Sequence, residues 1–138
     1  NIEISILGKQ INEGNYRNWV RDASRPPGML YKMINDNGVE ETINKFNEMR
    51  SKPDSKLNAF ALNIPGYMLM KEGRYEEAIK VMKANMEAFP EIANVYDSYA
   101  EALTVGGQIN EAVKYYELSL EKDPENQNAK EILRHLKL

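Results

Sequence analysis

Shifted against itself by 34 residues, this chain falls into register over its second half. Gly73 lands on Gly107, Glu77 on Glu111, Ala78 on Ala112 and Pro90 on Pro124. The apolar positions follow: Leu69 on Leu103, Tyr75 on Ile109, Ile79 on Val113, Met82 on Tyr116 and Met86 on Leu120. A fixed period of this size marks a stacked array, in which each unit buries its apolar side against the next. The functional question then moves from reaction to surface.

Each unit reads as two helices. In the second half of each, Tyr75, Ala78, Ile79, Met82, Met86 and Phe89, then Ile109, Ala112, Val113, Tyr116 and Leu120, recur at helical spacing and form one stripe. Glu76, Glu77, Lys80 and Lys83, then Glu111, Lys114, Glu117 and Glu121, fill the opposite face. Pro90 and Pro124 end these helices, because proline disfavours helical backbone in the residue before it. Gly73 and Gly106-Gly107 stand between the paired helices, where a helix C-terminus commonly needs a left-handed residue.

The two units resemble tetratricopeptide repeats. The resemblance rests on Leu62, Gly66, Leu69, Gly73, Tyr75, Ala78, Met82 and Pro90, repeated as Tyr96, Ala100, Leu103, Gly107, Ile109, Ala112, Tyr116 and Pro124, and it covers about residues 59–138. Two departures stand out. Pro65 lies inside a helix and predicts a kink or a late start. Asn85 and Ser119 occupy positions where the family usually has alanine.

The N-terminal part is less regular. A short helix from Met29 to Asn35, the turn Asn37-Gly38 and a stripe of Val39, Thr42, Ile43, Phe46 and Met49 predict a degenerate unit over 29–56, with one residue missing at its turn. Repeats follow at 59–92 and 93–126, with a capping helix over 127–138 carrying Ala129, Ile132, Leu133 and Leu136. Residues 1–28 form a helical or irregular segment, either a lead-in or an eroded fourth unit marked by Leu7-Gly8, Ile11, Gly14, Tyr16 and Trp19. Ile4, Leu7 and Ile11 fit one helical face, although Ile2, Ile4 and Ile6 also alternate as in a strand. Arg25-Pro26-Pro27-Gly28 reads as a stiff loop, and Arg17, Arg21 and Arg25 as surface charge beside Trp19. Trp19 and the eight tyrosines read as core.

Composition narrows the chemistry. A net charge of −3 with interspersed signs lacks the basic stripe of a nucleic-acid binder. No apolar run approaches a membrane span. The chain has no cysteine, so disulfides are excluded and the redox compartment is not legible. The single histidine, His135, has no serine or metal-ligand partner in the pattern. Carboxylates such as Glu40-Glu41 and Glu76-Glu77 sit at adjacent helix positions and diverge. No phosphate-binding loop occurs. The expectation is a non-enzyme without cofactor or metal.

The resemblance implies an all-α, right-handed superhelix of antiparallel helix pairs, with first helices lining a concave groove that holds a protein or peptide segment. Carried onto this sequence, the groove residues are Phe60, Asn63, Tyr67, Met70 and Lys71, then Asn94, Asp97, Glu101 and Thr104, then Asn128, Glu131 and His135. Phe60 and Tyr67 are the expected anchors. The lysine and arginine with which some relatives clamp a terminal carboxylate are absent, since those places carry Asn63, Tyr67, Ser98, Asn128 and Ile132. Asp97 and Glu101 suit a basic or neutral segment better.

Residues 29–138 also resemble the tail module behind serine-hydrolase domains of β-lactamase or esterase type in some bacteria. The runs from Asn58 to Tyr67, Asn94 to Ser98 and Asn126 to Leu133 carry that likeness, and no hydrolase motif lies in the chain. The alternative expectation is therefore an accessory or dimerising module of a larger enzyme. In that case its partner is an upstream domain or a second copy, and its groove is filled by residues 1–28 or closed by self-association. A first residue that is not methionine fits a processed or excised piece. The compartment is left open by the sequence: cytoplasmic, or periplasmic or otherwise extracytoplasmic for a piece cut from an exported bacterial precursor.

Overall fold

The computed structural model describes residues 2–138, and side chains from Leu7 onward. The expectation for the side chain of Ile4 lies outside the described residues. Among the described residues there are nine helices and no strand. They are α1 (Ile2–Glu13), α2 (Tyr16–Trp19), α3 (Pro26–Asn37), α4 (Val39–Arg50), α5 (Phe60–Lys71), α6 (Tyr75–Ala88), α7 (Ala93–Val105), α8 (Ile109–Lys122) and α9 (Gln127–Leu136).

The period is visible in the coordinates. α6 and α8 begin and end 34 residues apart, at Tyr75 and Ile109, then Ala88 and Lys122. The turns between paired helices are equivalent. Gly73 and Gly107 have φ of 77° and 85°. After α5, the Arg74 N–H donates to the Leu69 carbonyl at 2.9 Å and the Gly73 N–H to Met70 at 3.0 Å. After α7, the Gln108 N–H donates to Leu103 at 2.8 Å and the Gly107 N–H to Thr104 at 3.1 Å. Both turns thus close the last carbonyls of the first helix by the same pair of bonds, which requires a left-handed residue at the glycine.

α3 and α4 form the degenerate pair. Gly38 alone separates them, which accounts for the missing residue. α3 starts at Pro26, so the expected stiff loop at Pro26-Pro27-Gly28 is the first turn of a helix. Proline is at home there because its missing N–H has no intrahelical acceptor to lose. Pro65 sits buried inside α5, and helical backbone runs unbroken from Phe60 to Lys71. The helix starts one residue later than its counterpart, whose first residue, Ala93, lies 34 after Ala59.

The pairs stack in chain order. α3 packs on α5, α4 on α6, α6 on α7 and α8 on α9. Leu30, Ile34, Phe46, Leu62, Leu69, Ala78, Met82, Ala100, Leu103, Ala112, Tyr116 and Ile132 form one continuous core. Close approach explains the small residues. A Cβ on Gly66 meets the Met82 side chain at 2.5 Å.

The departures from alanine now have a physical account. Asn85 Nδ2 donates to the Ala59 carbonyl at 2.8 Å, and Ser119 Oγ to the Ala93 carbonyl at 3.4 Å. Donors and acceptors are each 34 residues apart. In both units the second helix ties down the carbonyl just before, or at, the start of the first.

Candidate functional site

α5, α7 and α9, the first helices of successive units, share one face of the stack. α1 lies across it, packing against all three. Leu7 is fully buried and Ile11 nearly so, within the same core as the repeats. Gln10 Nε2 donates to Asn128 Oδ1, joining α1 to the first turn of α9. α2 then packs on α5, and the Tyr16 ring stacks on Tyr67 at a centroid distance of 5.0 Å with 10° between planes. The chain's own N-terminal segment therefore covers the face that α5, α7 and α9 share.

The expected groove residues divide accordingly. Asn63, Tyr67 and Met70 of α5, and Asp97, Glu101 and Thr104 of α7, are all buried. Asn128 and His135 are half-buried, and Lys71, Asn94 and Glu131 are exposed. Phe60 is 62% exposed and faces a different cavity. Its cleft, of about 540 Å³, lies at the outer end of α5 and is walled by Trp19, Pro26, Pro27, Leu57 and Ile64. Trp19 is 49% exposed rather than core, its ring edge-on to Tyr16.

Polar groups cluster at the floor. Asp97 and Glu101 face the same side of α7, one turn apart. Burial pushes the Asp97 carboxyl up to about 6. Burial first, and the Asp97 charge second, holds Glu101 well above the ordinary glutamate range. Tyr67 is raised too, by burial and then by Glu101 and Asp97, while its hydroxyl lies 3.1 Å from Ser98 Oγ. Glu101 also acts on Tyr16, after burial. Asn63 Oδ1 and Asp97 Oδ1 have no hydrogen-bond partner. Among the described residues no cation pairs with either acid, and no group of three metal-ligating side chains gathers. No described helix is long and apolar enough to cross a membrane.

Leu7, Gln10, Ile11 and Tyr16 were not among the expected groove residues. Their signals in the sequence were the shared helical face of Leu7 and Ile11 and the expectation, under the accessory-module reading, that residues 1–28 fill the groove.

No family model matches the chain. Over 93 residues, 64% of the chain, it is 31% identical to the mitochondrial import receptor subunit TOM70 of Homo sapiens, and this stretch spans 15% of that protein. Its backbone is similar to the NMR structure of the second TPR domain of the human RPAP3 protein, in complex with the HSP70 peptide SGPTIEEVD. That likeness has a TM-score of 0.59 and 22% identity, and covers 84% of this chain and 95% of the other. The fold is tetratricopeptide-like. Neither protein is a serine hydrolase, so the resemblance to a hydrolase tail gains no support from them.

Proposed function

We propose that this chain is a non-catalytic protein-interaction module whose inner face recognises an amphipathic helix, with α1 as its resident occupant. The observation that carries this is the seating of α1 across α5, α7 and α9, with Leu7 and Ile11 buried. Two aliphatic residues four apart are the usual anchors of a helix lying in a groove. Partners of this kind suit the fold, since the RPAP3 domain was solved around a peptide and TOM70 is named an import receptor. The ligand chemistry differs, however. The peptide SGPTIEEVD ends in acids, whereas the floor of this groove is Asp97 and Glu101. An incoming acidic tail meets repulsion there, and a basic or neutral helix does not.

α1 is suited to displacement. Its 12 residues are too few for a stable helix on their own. Its docking also keeps two carboxyls from water without a counter-ion. Tethering favours the resident over a partner, because a short linker gives an effective concentration in the millimolar range.

The test uses Leu7→Asp/Ile11→Asp, which ejects α1, and a fluorescein-labelled peptide of residues 1–15 supplied in trans. The double variant binds the peptide saturably, and the unmodified chain binds it at least about tenfold more weakly. SGPTIEEVD binds neither. A folded double variant that ignores the peptide contradicts the proposal. The accessory-module alternative is the reading that expected residues 1–28 in the groove; it differs in requiring an upstream domain or a second copy as the natural partner, and neither TOM70 nor the RPAP3 domain supports its hydrolase context.

A further inference from the structure

The Phe60–Trp19 cleft is independent of the inner face and is open. With α1 in place, Phe60 and Trp19 are the most exposed aromatic side chains among the described residues. They share one cavity of about 540 Å³, a size that holds a few side chains of a bound segment. Its wall is mostly apolar, and the only charged side chains in the lining are Arg25 and Lys56. No acid lines it. Lys56 is in no ion pair among the described residues. Arg25 has only a long contact to Asp22 at 3.5 Å, with both side chains more than half exposed, and such a pair contributes little. Asp22 itself is turned toward Ser24, which donates to it through both its N–H and its hydroxyl. Arg17 and Arg21, both exposed, flank the same segment. In a chain of net charge −3, this corner is locally positive.

We propose that this cleft is a second docking surface, and that its occupant is a short acidic segment of another protein presenting a large apolar side chain. The apolar residue fills the space between Phe60 and Trp19, while carboxylates beside it meet Arg25 and Lys56. Aromatic side chains are frequent anchors of such a site, and charge of one sign beside them selects a partner of the opposite sign. The proposal goes beyond the reading of the inner face and does not depend on it. The two surfaces select opposite charge, so one array accommodates two different partners at once.

Trp19 is the only tryptophan in the chain, so its emission reports the cleft directly. The probe is the blocked peptide Glu-Asp-Leu-Phe-Asp-Glu, titrated into the full chain, with Lys-Lys-Leu-Phe-Lys-Lys as its counterpart. Supporting results are a saturable blue shift with the acidic peptide, weakened by salt, and none with the basic one. Phe60→Ala weakens binding roughly tenfold, and Arg25→Glu/Lys56→Glu abolishes it with the helical circular dichroism unchanged. Both sites are exposed, so these variants fold. No shift, an equal shift with both peptides, or a concentration-dependent shift without peptide each overturns the proposal, the last by assigning the cleft to a second copy of this chain. Because α1 is untouched, failure here leaves the helix-binding reading intact.

Discussion

Asp97 and Glu101 are 7% and 4% exposed, and both carboxyls titrate higher folded than unfolded. A raised carboxyl contributes stability below its unfolded value, and that contribution is lost as pH rises through the folded value. For Asp97 the loss begins at its unfolded value of 3.8 and is complete a little above pH 6, and for Glu101 it continues higher. The groups around the pair are Tyr16, Tyr67, Tyr116, Asn126 and Asp123, none of them a cation. Glu77, Glu40 and Asp22 shift the other way, through Arg74, Lys80 and Ser24, and lose their contributions only on further acidification. The melting temperature is therefore expected to fall between pH 5 and pH 8, by roughly 5 °C. Asp97→Asn/Glu101→Gln flattens the profile. Calorimetry at the two pH values checks this, and a melting temperature that rises over the interval contradicts it. The acid pair was legible in the sequence as two carboxylates one turn apart on a helix. Its burial was not, because burial depends on what lies over it.

At the scale of elements, the paired helices are specified locally and then tied by equivalent bonds. Asn85→Ala removes a 2.8 Å bond and leaves the Ala59 carbonyl without that donor. The expected cost is about 1.5 kcal/mol in urea unfolding. Ser119→Ala removes a 3.4 Å bond and costs about 0.5 kcal/mol. Equal costs would show that bond length is not what separates the two sites. Helix starts were less legible than turns. The turns carry glycine at a backbone angle few other residues adopt. The start of α3 is hidden by two prolines, which are compatible with both a loop and a first helical turn.

For the whole molecule, an array of stacked hairpins connects each unit only to its neighbours. α1 breaks that rule. It reaches three first helices, and Gln10 meets Asn128 across 118 positions of sequence. Its hold is small beside the core beneath it, so it is expected to open before the array does. In native-state hydrogen exchange, amides of α1 are expected to exchange by a local opening, at lower free energy than those of α5 to α8. Tyr16→Ala, which removes the stack on Tyr67, lowers the opening energy of α1 by about 1 kcal/mol and leaves α6 and α8 unchanged. Loss of protection in all helices together would show that α1 is integral to the array.

The 34-residue period, the left-handed glycines and the apolar stripes determined the hairpins and their stacking, because each acts within a few residues of backbone and recurs. The filling of the shared face of α5, α7 and α9 by residues 1–28 was one expectation; the tertiary structure decided that α1 lies there, that Tyr67 lies under Tyr16, and that Phe60 turns instead to a cleft with Trp19. Those placements rest on complementarity between segments far apart in the chain. Such complementarity has no period, so nothing in the order of residues announces it.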